Sequence, residues 1–155
     1  DNNFFYILNM KLRERSGAFL QAAHGYLYNL MTGLDRLPPA SGIVLRGIDK
    51  EKAPAARDKF KRGMAFHFSG FSSTAPDWSA AAGFAEGGGL ILRIRLLDEN
   101  SRSRDIHTLS AFGGAEAEIL LFPNFKVFVA GTTNEKGVDI IELIEQMPAP
   151  TAIDF

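Results

Sequence analysis

The chain contains no cysteine. That one absence excludes disulfides, thiolate nucleophiles and cysteine-ligated zinc or iron–sulfur centres. Long apolar runs are also missing. Leu90–Leu97 is interrupted by Arg93 and Arg95 and falls far short of the ~20 residues a membrane helix needs, so no membrane association is expected. Neither sign of charge dominates. Seventeen Lys+Arg against 18 Asp+Glu leave a net charge of -1, which argues against a broadly basic nucleic-acid binder. Metal-ligand spacing is absent as well: His24, His67 and His107 stand apart from one another, and no metal is expected. What the chain does have is core-forming material. At 155 residues with 13 phenylalanines, it can close one well-filled domain. It opens at Asp1 rather than a methionine, which leaves room for a removed upstream signal or domain.

Apolar residues recur at helical spacing through the first 35 positions (Leu12, Phe19, Leu20, Ala23, Leu27, Leu30, Met31, Leu34) until Asp35-Arg-Leu-Pro-Pro halts the pattern. Beyond it the texture turns strand-like. Strands are expected at 42–48, 64–68, 90–97, 116–122, 125–130 and 138–144, with a polar helix or loop at 50–61 and an alanine-rich helix at 76–84. Pro123-Asn124 reads as a tight turn. The expected class is therefore α+β. Its expected organisation is a single domain over 1–148, with a helical lead-in (1–38), a strand-rich core (42–146) and a tail (149–155).

Three local features could carry chemistry, and each has an ordinary structural explanation. Glu116-Ala-Glu118 opens an apolar strand just after Phe112-Gly113-Gly114. Residues two apart on a strand face one way, roughly 7 Å apart, so the carboxylates form either a pair suited to sugar-cation chemistry or a solvated face. Arg46-Gly47 lies in the first strand, where an arginine is either paired internally or faces an anion that its planar fork can grip. Gly47 would allow close backbone approach by a ligand. Phe71-Ser72-Ser73-Thr74 precedes the alanine-rich helix, where hydroxyls either cap a helix or serve a site.

Taken in order, Arg46-Gly47, Phe71-Ser-Ser73-Thr74 and Glu116-x-Glu118 resemble the three signature elements of the R-S-E class of mono-ADP-ribosyltransferases, which includes bacterial toxins and effectors and the vertebrate-type arginine-specific enzymes. Leu8-Asn9, Leu12-Arg13 and Gly33-Leu34 to Leu37-Pro38 resemble that family's helical lead-in. Leu109-Ser110, Glu116-Ala-Glu-Ile-Leu-Leu-Phe-Pro and Lys126-Val-Phe-Val resemble its last catalytic segment. The similarity spans about residues 4–146.

The resemblance implies a split β-sandwich that binds NAD as co-substrate and cleaves its nicotinamide–ribose bond. It assigns Glu118 to stabilising the ribose cation and Glu116 to drawing a proton from an incoming arginine. Ser73 would orient Glu118, Arg46 would hold the NAD phosphates and the Gly47 backbone would read the nicotinamide amide. Thr74 belongs to the same NAD-binding motif, Phe84 is the candidate for stacking on nicotinamide or else ordinary core, and Phe112 is the candidate for acceptor recognition. Two positions depart from the family pattern. Ala75 stands where a second serine is usual, and Gly113 fills the place where several members carry an aromatic.

The activity so implied is transfer of ADP-ribose to an arginine of a target protein, by a monomer without a metal. A secreted effector or toxin acting in a target cell is the implied setting. An NAD glycohydrolase, a transferase acting on nucleic acid and a catalytically silent binding module are the alternatives. Residues 36–62 carry eight Lys/Arg against three Asp/Glu, either a solvated face or guidance for an anion.

Overall fold

The computed structural model describes residues 24–106 and 118–148, with Ala18 and Gln21. Helix α1 (His24–Asp35) brings Leu30, Met31 and Leu34 against Phe71, Leu120 and Phe122. Its last turn tightens as the Arg36 and Leu37 amides donate to the Gly33 and Leu34 carbonyls at 3.3 and 3.0 Å. Pro38-Pro39 then ends it, having no amide hydrogens to offer. The expected lead-in positions Leu12, Phe19, Leu20 and Ala23, and the tail 149–155, lie outside the described residues.

The remaining elements are β1 (Ile43–Ile48), α2 (Ala53–Lys59), β2 (Ala65–Phe68), β3 (Ser72–Thr74), α3 (Trp78–Ala85), β4 (Leu90–Arg95), β5 (Ser103–Asp105), β6 (Ile119–Leu121), β7 (Phe125–Glu135) and β8 (Val138–Gln146). A short 3-10 turn at Asp98–Asn100 leads from β4 to β5. Five strands form one sheet in the order β1-β4-β8-β7-β2, parallel only between β4 and β8. The other three form a small antiparallel sheet, β3-β6-β5. This is the α+β split sandwich anticipated from the sequence.

Alternation along the strands explains how the sheets meet. Val44, Leu90, Leu92, Ile94, Val127 and Leu143 point inward from the large sheet and pack with Ile119 and Leu121 of β6. Each such side chain, when fully buried, contributes about 1.5–3 kcal/mol. Leu45, Ile91 and Ile140 point the other way, and Ala81 and Ala85 of α3 cover them. Pro123-Asn124, with Asn124 at φ 63°, turns the chain from the small sheet into the large one.

Several local expectations need correction. Pro76 is outside α3: Asp77 is extended (φ -90°, ψ 134°) and helix geometry begins at Trp78. The strand expected from Glu116 begins at Ile119, after Glu118. Strand β7 runs past its expected end at 130 to Glu135, where Lys136 and Gly137, at φ 52° and 78°, form a two-residue hairpin turn; β8 starts at Val138 as expected and continues at its far end to Gln146. Strand β5 was not anticipated, since both of its buried residues, Ser103 and Arg104, are polar.

Candidate active site

Strand β1 is an edge of the large sheet, and its alternation separates two neighbours. Arg46 shares the inner face with Val44 and Ile48 and is half-buried. Gly47 faces α3. A Cβ there would collide with the Ala81 carbonyl oxygen and come within 2.6 Å of Phe84 Cβ. Glycine is therefore explained first by the close approach of α3, which brings Phe84 beside Arg46-Gly47. Phe84 is 69% exposed, so it is not core packing.

Strand β3 joins the two halves through three successive residues. The Ser73 hydroxyl donates to Glu118 Oε2 at 3.0 Å. Thr74, buried, donates its hydroxyl to the Ile119 carbonyl at 2.8 Å, which locks β3 to β6 one residue beyond Glu118. Ala75 and Leu45 exchange backbone hydrogen bonds at 2.8 and 2.9 Å. The two strands run antiparallel from that bridge, so Arg46 and Gly47 lie on the same side of it as Thr74 and Ser73. The backbone of Ala75 thus ties β3 to β1 without the hydroxyl usual at that position. These serines are not helix caps: Ser72–Thr74 is a strand, and the α3 N-cap is Asp77.

Glu118 stands at the mouth of β6, half-buried, with its own carbonyl accepting from the Ile106 amide at 2.9 Å. Arg46, Gly47, Ser73, Thr74, Phe84 and Glu118 therefore gather where β1, β3, β6 and α3 meet. Glu116 and Phe112 lie outside the described residues, as does His107. His24 and His67 are exposed. Among the described residues, no three His, Cys, Asp or Glu side chains cluster as a metal site.

Two buried charged groups that sequence reasoning missed support this junction from behind. Glu145, 1% exposed on the inner face of β8, accepts the Leu97 and Arg102 amides at 2.9 and 2.8 Å and so clamps both ends of the β4–β5 connection. Arg104 donates to the Leu34, Ser101 and Ser103 carbonyls at 3.0, 3.0 and 2.8 Å, with its guanidinium 4.9 Å from the Phe122 ring centre. Burial pushes the Arg104 pKa down, against the pull of Asp35. Neither residue has a sequence signal beyond being a charged residue in or beside a strand.

No protein-family model matches the chain, and no curated protein matches it by sequence. Solved structures do match. The ADP-ribosyltransferase Vis, in complex with an inhibitor, superposes with a TM-score of 0.68 at 20% identity, over 92% of this chain and 67% of that one. Vis is a toxin from Vibrio splendidus, and its complex with agmatine gives a TM-score of 0.66 at 20% identity, over 92% and 68% of the two chains. The C3 exoenzyme of Clostridium limosum gives 0.66 at 18% identity, over 89% and 77%. The Salmonella SpvB ATR domain gives 0.64 at 21%, over 84% and 75%. The chain has the ADP-ribosyltransferase fold seen in these bacterial proteins.

Proposed function

We propose that this chain cleaves NAD at the nicotinamide–ribose bond and transfers the ADP-ribose to an arginine of a target protein. The observation that carries the reading is the hydrogen bond from Ser73 to Glu118, made across strands by residues 45 positions apart in sequence. It holds one carboxylate at the junction that also contains Arg46 and Phe84. That is what a reaction passing through a sugar cation needs.

In this reading Arg46 grips the NAD phosphates and the Gly47 backbone reads the nicotinamide amide. Phe84, exposed beside Gly47, stacks on the cationic nicotinamide ring. Glu118 faces the positive charge that develops on the ribose as nicotinamide leaves. A unit charge pair at ~4 Å and an effective dielectric of ~20 is worth about 4 kcal/mol. Realised mainly in the transition state, it would give on the order of a thousandfold in rate. Ser73 keeps the carboxylate aimed, and Thr74 keeps β3 on β6. Glu116 takes the proton from the attacking guanidinium, and Phe112 contributes to acceptor recognition. The unit is residues 1–148, and its setting is that of a secreted effector acting on another cell's protein.

The arginine assignment rests on the glutamate at 116 and on the match to Vis in complex with agmatine, a small molecule bearing the same guanidinium group as arginine. Incubation with labelled NAD, first with agmatine and then with a mixed cell extract, tests it. Label on agmatine and on protein is the expected result. Free ADP-ribose alone makes the chain a glycohydrolase, label on nucleic acid changes the acceptor class, and no turnover leaves a silent module.

A further inference from the structure

A cleft of about 430 Å³ opens beside α3. Trp78, Ala82, Gly83 and Glu86 form one wall, the glycine turn 87–89 the floor and the hairpin tip at Lys136 the other wall. That volume lies in the range of small-molecule sites.

The lining has a distinct chemistry. Trp78, the single tryptophan of the chain, is half-buried, and Lys136 Nζ sits 5.2 Å from the centre of its ring. Such a contact at an exposed site is worth only about 0.5–1 kcal/mol, so an anion can draw the ammonium off the ring cheaply. Glu135, next to Lys136, is held by both terminal nitrogens of Arg93, so its carboxylate is shared between Arg93 and the Lys136 charge. Glu86 lines the same cleft as a carboxylate and would repel an anion but accept a hydrogen bond from an N–H donor.

We propose that this cleft is a second binding site, for a small planar aromatic ligand with an anionic group for Lys136 and a ring amine for Glu86, stacked on Trp78. A nucleoside monophosphate with an exocyclic amine and an aminoaryl carboxylate share this chemistry. The proposal is independent of the NAD reading, because none of these residues belongs to the Arg46–Ser73–Glu118 junction.

Trp78 fluorescence, free of any other tryptophan, reads occupancy directly. The probes are 5′-AMP, 4-aminobenzoate and 5′-IMP, which lacks the amine. Saturable quenching by AMP points to a nucleotide ligand, and quenching by 4-aminobenzoate alone points to an aryl carboxylate. IMP should bind about tenfold more weakly than AMP. Lys136→Met should weaken binding about tenfold or more, as should Gly83→Leu, which adds bulk where the helix faces open space. Arg46→Lys should leave the signal unchanged. The proposal is overturned if neither amine-bearing probe quenches saturably, or if IMP equals AMP. It is equally overturned if binding survives both cleft variants, or is lost in Arg46→Lys.

Discussion

The two sheets are stabilised by different physics. The large sheet closes on an inner face of Val, Leu, Ile and Phe side chains exposed by no more than a few per cent. The small sheet has only three-residue strands. Leu120, Leu121 and Phe122 bury there, but its register depends on buried polar contacts: the Thr74–Ile119 hydrogen bond, the donors of Arg104 and the Glu145 clamp, while the exposed Ser73–Glu118 bond orients a side chain. Apolar burial is non-directional and tolerates small shifts, whereas hydrogen bonds fix atoms to within tenths of an ångström. In the proposed reaction, the carboxylate to be aimed, Glu118, stands at the mouth of the polar sheet, and Arg46, proposed to grip NAD, stands on the edge of the apolar one.

That contrast can be broken first in the large sheet. Leu92→Ala removes a buried side chain from the inner face and should cost about 2–5 kcal/mol in denaturant unfolding, felt across the whole fold. Arg104→Met should cost less, about 1–3 kcal/mol, because it strands three carbonyl acceptors while filling similar space. Its effect should be local: amide exchange in β5 and β6 should accelerate while β4 and β8 stay protected. A uniform loss of protection would dissolve the distinction between the sheets.

Smaller still is Ser73→Ala. It should lower turnover about tenfold, equivalent to ~1.4 kcal/mol, with NAD affinity and melting temperature unchanged. Calorimetry and nicotinamide release on the same preparation separate these quantities.

The smallest effect lies at the hairpin end of the large sheet. There the Asn134 amide and Arg57 hydrogen-bond Asp139 and hold its carboxyl below its usual value. A carboxyl lowered in the folded chain favours folding above its unfolded pKa of about 4, and that contribution disappears as pH falls through the folded value. The Arg57–Asp139 pair is exposed, so Arg57→Ala should cost under about 1 kcal/mol at neutral pH and less at a pH below about 4. Unfolding curves at the two pH values check this.

The sequence revealed those elements whose signal resides in side chains. Strands β1, β4, β7 and β8 were legible because apolar residues alternate or run together there. Strand β5 was not, because its buried residues, Ser103 and Arg104, are polar and look like solvent residues. Strand β3 was not legible, because three hydroxyl residues before a helix read as a cap or a site rather than as a strand. The outer half of β7 was missed because Thr132–Glu135 are polar and exposed, and the Lys136-Gly137 turn shows itself in backbone angles. At the site, the resemblance named Ser73 and Glu118 as partners, although spacing alone could not. The Leu45–Ala75 bridge was invisible, because backbone hydrogen bonds leave no residue signature.

The central claim is that Ser73 aims Glu118 at a developing sugar cation while Glu116 serves only the acceptor. Nicotinamide release and agmatine labelling, measured in parallel on folded Glu118→Gln and Glu116→Gln, test it most directly. Glu118→Gln should lower NAD cleavage on the order of a thousandfold, with or without agmatine. Glu116→Gln should abolish labelling yet keep slow release of nicotinamide. Wild-type NAD cleavage by Glu118→Gln, or normal labelling by Glu116→Gln, would contradict the account.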